Sequence, residues 1–117
     1  MARVEGVKRV QAILQARASK AGEETSKSVI VGYTQSYALY VHENLEAHHS
    51  VGQAKFLEQP AREEADKIGG IVRTALTKGA SVSDALLLGG LYLQRASQQL
   101  VPVDTGALKS SAFTRFD

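Results

Sequence analysis

The sequence contains no cysteine, only two prolines and no long apolar run. The absence of cysteine excludes a disulfide framework and thiolate chemistry. The longest apolar run, Ala85–Leu88, is far too short to cross a bilayer. The first residues lack the apolar segment of a signal peptide, so we expect none. These absences predict a protein that does not enter a membrane and is not held together by cross-links.

The remaining composition is that of an ordinary globular domain. With 117 residues, 44% of them hydrophobic and 22% charged, the chain can build one core but not two, so residues 1–117 are predicted to form a single domain. The net charge of +2 is mildly basic. Basic residues are scattered and are not interleaved with aromatic residues, as they are in single-strand binders. We therefore expect no sequence-specific binding of nucleic acid.

Three segments carry helical patterns. Val4–Lys20 places apolar residues on one face at a period of 3.6, and Gly22 follows as a stop signal. A second apolar face starts after Pro60, a residue suited to a first helical turn. A third helix follows the capping-box pattern that starts at Ser81 and ends at Asp84. Helices are therefore predicted near the N-terminus and over most of the second half of the chain.

Two segments carry strand patterns. Ser28–Tyr33 is rich in β-branched residues, and Ala112–Phe116 alternates in a way that suits a short strand. Glu23–Lys27 reads as a polar connector, and Tyr37–Val41 as either a helical turn or a strand. The predicted fold class is α+β, a small single domain with about three helices packed on a small β-sheet and a long extended loop.

The third helix carries more leucine than one core-facing stripe needs. Its leucines cover nearly the whole circumference of its first half; they are Leu86, Leu87, Leu88, Leu91 and Leu93. Such a helix is usually buried on two sides, by its own domain or by a neighbouring subunit. Leu87 and Leu91 are therefore candidate interface residues.

The predicted loop is Glu43–Lys55, which is polar and lacks periodicity. Loops of this length in compact domains are often functional. We expect it to be mobile in the free protomer and ordered on assembly, with Leu45, His48 and His49 as contacts. Its anchors in the core are predicted to be Tyr37, Tyr40, Val41, Phe56 and Leu57.

No chemical site is predicted. The histidines, at 42, 48 and 49, match no compact zinc signature, and solvated loop histidines are the simpler interpretation. Serine, histidine and carboxylate residues are present, but none lies in a nucleophile elbow, and the glycine pairs lack nucleotide-binding spacing. We therefore expect no catalytic residue, no metal, no cofactor and no enzymatic activity.

Several segments resemble a family of tailed-bacteriophage structural proteins, the tail-component, tail-completion or minor neck proteins. VPVDTGALKSS is similar to that family's P-x-D-T-G-x-L-x-x-S segment. YALYVHEN and FLEQPA resemble its Y-A-x-x-V-x-E and F-L-x-x-P-A signatures, and SVIVGY is similar to the strand before them. The resemblance covers Ser28–Ala61 and Val101–Ser111. In the commonest members the D-T-G segment comes first, whereas here it comes last.

The resemblance implies a small α+β protomer with a non-enzymatic role in a ring at the head–tail junction of a virion. Its partners would be further copies of itself and neighbouring portal, connector, tail-tube or capsid proteins, assembled in the host cytoplasm. Extended loops and termini reach neighbours in such rings, so Asp104, Thr105 and Gly106 join the candidate contacts. The alternatives are a minor capsid or decoration protein of the phage head and, from another class, a small basic nucleic-acid binder.

Overall fold

The computed structural model describes residues 2–5, 10–20, 23–45, 52–102 and 106–117. Within these residues the chain forms four strands and five helices. In order they are β1 (Ala2–Glu5), β2 (Gln11–Lys20), β3 (Glu23–Tyr33), α1 (Ala38–Glu43), α2 (Glu58–Glu63), α3 (Ala65–Thr77), α4 (Val82–Gln98), α5 (Ala107–Ser110) and β4 (Ala112–Phe116). The predicted α+β class is confirmed.

The strands form one antiparallel sheet in the order β1-β2-β3-β4. Because side chains alternate across a strand, Val29 and Val31 face α4, whereas Ile30 pairs with Ile13 on the opposite face. The C-terminal strand β4 completes the sheet beside β3, with Thr114 opposite Val31. One face of the sheet therefore carries the helices.

Two adjacent glycines let α4 lie close to both of its neighbours. A Cβ atom at Gly90 would come within 2.7 Å of the Thr114 side chain and 2.9 Å of Val29. A Cβ atom at Gly89 would come within 2.9 Å of Val72 on α3. Real Cβ atoms do not approach other atoms so closely, so α4 fits between the sheet and α3 only because these side chains are missing. The core on either side includes Leu14, Val29, Val31, Phe56, Leu57, Ile68, Leu86, Leu93 and Val101.

The predicted N-terminal helix is wrong. The stretch from Val4 to Lys20 contains the end of β1 and all of β2, separated by a segment that includes residues outside the described part of the chain. The expected connector Glu23–Lys27 is the first half of β3. The apolar residues of this segment fit a period of two as well as they fit 3.6. Ala12 and Leu14 are buried on one side of the strand, and Ile13 is buried on the other beside Ile30. Pairing with β3 along the whole of β2, and with β1 from Gln11 to Leu14, settles the conformation, because it satisfies the backbone groups on the paired sides of the strand.

The hairpin of β2 and β3 extends past the rest of the sheet. Strand β1 ends its pairing at Leu14, and β4 ends its pairing at Val29. Beyond these positions β2 and β3 continue to pair with each other as far as Lys20 and Glu23. The molecule is accordingly long and narrow, with extents of 52 × 23 × 20 Å.

The other predicted elements are largely confirmed. The helix expected after Pro60 is divided at Glu64 into α2 and α3. The capping box that starts α4 is present, since the Asp84 backbone N–H donates to Ser81 Oγ at 3.0 Å. Both predicted strands, Ser28–Tyr33 and Ala112–Phe116, lie in the sheet. The described residues contain two long helices, α3 and α4, rather than three, and the other three helices are short.

Candidate functional site

The imidazole of His42 joins two of the segments named in the resemblance, YALYVHEN and FLEQPA. His42 lies on α1 and is only 2% exposed. Its Nδ1–H donates to Glu43 Oε2 at 2.5 Å, and its Nε2 accepts from the backbone N–H of Glu58 at 3.1 Å. The two partners fix a neutral imidazole with its proton on Nδ1, because a backbone N–H cannot accept a hydrogen bond. His42 thus connects α1 to the first residue of α2.

Lys55 supports this connection from the end of the loop. Its backbone N–H donates to the carbonyl of His42 at 2.7 Å, and its Nζ donates to Glu43 Oε1 at 2.6 Å. Lys55 has a φ of 55°, a left-handed conformation that is uncommon for a residue with a side chain. The hydrogen bond from Lys55 lowers the pKa of Glu43, and burial lowers the pKa of His42 more than the Glu43 carboxylate raises it. The pair is therefore a charged Glu43 beside a neutral His42.

Phe56 joins this connection to the sheet and to α4. Its fully buried ring makes edge-to-face contacts with His42 and Tyr33, at centroid distances of 4.9 and 5.0 Å. The Tyr33 hydroxyl forms a 2.7 Å hydrogen bond with Ser97 Oγ on α4, and burial raises the pKa of the Tyr33 phenol. We call Tyr33, His42, Phe56 and Ser97 the aromatic junction. It ties β3, α1, the F-L-x-x-P-A segment and α4 into one unit.

The C-terminal signature begins against the same region. The Gln53 backbone N–H donates to the carbonyl of Leu100 at 2.8 Å, and the adjacent Val101 is fully buried. Gly52 has a φ of 91°, and a Cβ atom there would lie 2.5 Å from the backbone nitrogen of Pro102. The end of the predicted loop therefore returns directly onto the start of VPVDTG.

The structure places half of the candidate interface residues. Leu45 is 71% exposed where the chain leaves α1, Leu91 is 47% exposed on α4, and Leu87 is partly buried. Gly106 has a φ of 77° and precedes α5. His48, His49, Asp104 and Thr105 lie outside the described residues.

Three expectations about the loop and its anchors need correction. His42 is not a solvated loop histidine but a buried helical one, because its position on α1 directs it at Phe56. Tyr40 was expected in the core and is 71% exposed, accepting a 3.1 Å hydrogen bond from the Asn44 side chain. Tyr37 is also exposed. Phe56 and Leu57 are fully buried, as predicted.

A second feature lies between α3 and α4, where neighbouring side chains leave a shallow groove of about 550 Å³. We call it the α3–α4 groove; it is lined by Lys67, Gly70, Ile71, Thr74, Ala75, Lys78 and Leu88. Leu88 is 51% exposed. Beside the groove, the Tyr92 hydroxyl donates to the Glu64 carboxylate, which raises the pKa of that phenol, and Lys67 Nζ lies 5.6 Å from the Tyr92 ring centre. Sequence reasoning selected Leu87 and Leu91 and missed Leu88, because the periodicity of a leucine-rich helix does not reveal which leucines its neighbours cover.

A third feature is a depression of about 500 Å³ at the end of the sheet. Val10, Leu39 and Phe113 supply apolar surface, and the Arg115 guanidinium lies 5.3 Å from the Phe113 ring centre. None of the described residues that line it is a histidine or a carboxylate.

In the parts of the chain that the structure describes, no three histidine, aspartate or glutamate residues converge on a possible metal position. Glu46, His48 and His49 are outside those parts. None of the described helices has the length and apolar character needed to cross a membrane. No model of a known protein family, no characterised protein and no solved structure matches the chain.

Proposed function

We propose that this chain is a structural protein of a tailed-bacteriophage virion and forms part of a ring at the head–tail junction, as a neck, connector or tail-completion protein. The observation that carries the proposal is the aromatic junction. Tyr33, His42 and Phe56 come from the three successive segments SVIVGY, YALYVHEN and FLEQPA, and the Phe56 ring contacts both Tyr33 and His42. Three segments that resemble family signatures thus pack together in the core of the protomer.

The junction explains how a polar loop could serve assembly. Hydrogen bonds from Lys55 and Glu58 to His42 hold the two ends of the loop together. The residue that follows α1 by two positions, Leu45, is largely exposed. An anchored loop with an exposed apolar residue suits a contact with a neighbouring subunit, because the fixed ends reduce the entropy lost on binding.

The reversed order of the signatures is compatible with the same assembly role. The start of VPVDTG lies against Gly52 and Gln53 at the end of the loop, although the two segments are far apart in sequence. The first residues of the C-terminal signature and the last residues of the loop therefore belong to one region of the protomer. A role of this kind depends on shape and surface, and it needs no catalytic group.

The proposal predicts self-association or association with virion proteins. The test is to measure the mass of the purified protein by light scattering, alone and with tailed-phage portal, tail-tube and capsid proteins, where neighbouring reading frames encode them. The products are then imaged by electron microscopy. Rings of the chain, or its incorporation at the head–tail junction of particles, would support the proposal. Binding to the capsid shell alone would favour a minor capsid or decoration protein.

A protein that stays monomeric with all of these partners and binds DNA with a steep salt dependence would contradict the proposal. Such a dependence is the signature of counterion release from a nucleic acid. Titrations at two salt concentrations with unrelated DNA sequences would reveal it.

A further inference from the structure

We propose that the α3–α4 groove is a self-association surface, in which Leu88 and Leu91 from one copy of the chain pack into the groove of a second copy. The inference does not depend on the virion role. It assigns a contact that pairs two copies of the chain, and a protein of any function could use such a contact.

The first support is the exposure of two leucines in one stripe. Leu88 and Leu91 are 51% and 47% exposed and are three residues apart on α4, so they share a helix face. Leu88 lines the α3–α4 groove together with Ile71 and Ala75, and Leu91 extends this apolar surface by one helical turn along α4. Surfaces of this kind on small domains mark contacts with other proteins.

The second support is Gly70, in the floor of the groove. A Cβ atom at Gly70 would meet nothing within 4 Å, whereas one at Gly89 or Gly90 would clash with the protein's own side chains. Glycine in a helix interior weakens the helix, and the packing of the protomer does not require it at position 70. A missing side chain there deepens the groove and lets another chain approach the backbone of α3.

The third support is the charge pattern, which makes the surface complementary to itself. Asp84 is exposed and lies four residues before Leu88, so a carboxylate belongs to the same stripe as the leucines. Lys67, near the start of α3, and Lys78, just after its end, both line the groove. Because they are eleven positions apart, they lie towards its two ends. The exposed Arg95 lies at the other end of the same stripe, which is also the end of the groove that carries Lys67. In a pair whose α4 helices run antiparallel, the Asp84 carboxylate of the second copy therefore faces these two cations.

These observations favour a second copy over an unrelated partner. A suitable occupant needs two apolar anchors about one helical turn apart and an acidic group beyond them, and α4 carries that set. An interface in which each copy gives its leucines and receives its partner's also has the self-complementary character of a two-fold contact.

The experiment compares three variants by sedimentation equilibrium and thermal unfolding. Leu88→Gln removes the anchor and Gly70→Gln fills the groove with a good helix former, while Arg62→Gln changes an exposed side chain on α2, away from the groove, as a control. We expect the parent and R62Q to self-associate alike, and L88Q and G70Q to associate at least about tenfold more weakly. The melting temperature of G70Q, extrapolated to the monomer, should not fall below that of the parent. Its weaker self-association is then not a result of unfolding.

Two results would overturn the inference. One is a parent chain that remains monomeric at the highest soluble concentration. If the amides of residues 67–78 then become protected from hydrogen exchange only when a different protein is added, the groove binds that protein and not a second copy. The other is association of L88Q and G70Q with the affinity of the parent. A chain that self-associates through the groove but never joins phage particles would contradict the virion role alone, and rings unaffected by either variant would contradict the groove alone.

Discussion

The Nε2 atom of His42 accepts a hydrogen bond from the backbone N–H of Glu58, sixteen positions further along the chain. This N–H belongs to the first residue of α2, where no preceding helical carbonyl is available to it. One buried imidazole therefore satisfies an otherwise unpaired donor of α2 and, through Nδ1, holds the carboxylate of Glu43. The arrangement requires neutral His42.

This requirement predicts a pH-dependent stability. Burial lowers the pKa of folded His42 below its ordinary value of 6.5, so folding favours the neutral form. The stabilisation is fully present above about pH 6.5 and is lost as the pH falls through the lower folded pKa. Protonation would place a proton on Nε2, where it would face the Glu58 N–H and break that hydrogen bond. The nearby carboxylates of Glu43 and Glu58 favour the protonated form, but burial outweighs them. The free energy of unfolding, measured in urea at several pH values, should fall between neutral and mildly acidic pH.

The control for this prediction is His42→Gln, which removes the titrating group. The variant is expected to be less stable at neutral pH by about 1–3 kcal/mol, because it disturbs buried hydrogen bonds. Its stability should change less across the same pH range. Glu43, whose folded pKa is also lowered, contributes a separate loss of stability as the pH falls below its ordinary pKa of 4.5. An unchanged pH profile in H42Q would contradict the assignment to His42.

Phe56 is predicted to be the most sensitive residue of the aromatic junction. Phe56→Ala removes a fully buried ring that contacts Tyr33 and His42, and it should lower the free energy of unfolding by about 3–5 kcal/mol. Phe116→Ala is the matched control, since Phe116 is half exposed at the end of β4 and its loss should cost much less. Urea denaturation measures both. Equal costs would mean that Phe56 is not a centre of packing.

Glycine-to-alanine changes are predicted to have opposite signs at Gly90 and Gly70. Gly90→Ala places a Cβ atom 2.7 Å from Thr114, and overpacking of this kind costs about 1–3 kcal/mol. Gly70→Ala meets no atom within 4 Å and should raise stability by up to about 1 kcal/mol through helix propensity. Thermal and urea unfolding of the two variants, at a concentration where both are monomeric, give the comparison. Destabilisation by both changes would show that Gly70 is needed within the protomer.

Leu45 tests the proposed assembly role of the loop. Leu45→Glu changes a side chain that is largely exposed, so the melting temperature should remain within a few degrees of the parent. Ring formation, or incorporation into particles, should fall if Leu45 contacts a neighbour. Hydrogen exchange of residues 44–45 and 52–54, before and after assembly, should show new protection in the parent. Assembly of L45E at the parental level would remove Leu45 from the interface.

Local sequence signals determined several elements because the decisive interactions are local. The capping pattern from Ser81 to Asp84 fixed the start of α4 through a hydrogen bond between residues three positions apart. β-Branched residues identified Ser28–Tyr33 as a strand, and Pro60 marked the region where the helices of the second half begin. The α+β class followed from these segments alone.

The N-terminal third was decided by tertiary structure. The apolar pattern from Val4 to Leu14 suits either a helix or a strand. For the described residues, the pairing of β2 with β1 and with β3 selects the strand. Gly89 and Gly90 look like helix-weakening residues in the sequence, yet close contacts with α3 and with the sheet explain them. Similarly, His42 reads as one of three polar loop histidines until Phe56 and Glu58 are brought against it. The sequence by itself determined the elements that depend on interactions between neighbouring residues, such as the start of α4. Only the tertiary structure decided which side chains are buried and which hydrogen-bond partners they have, because burial depends on contacts between distant segments.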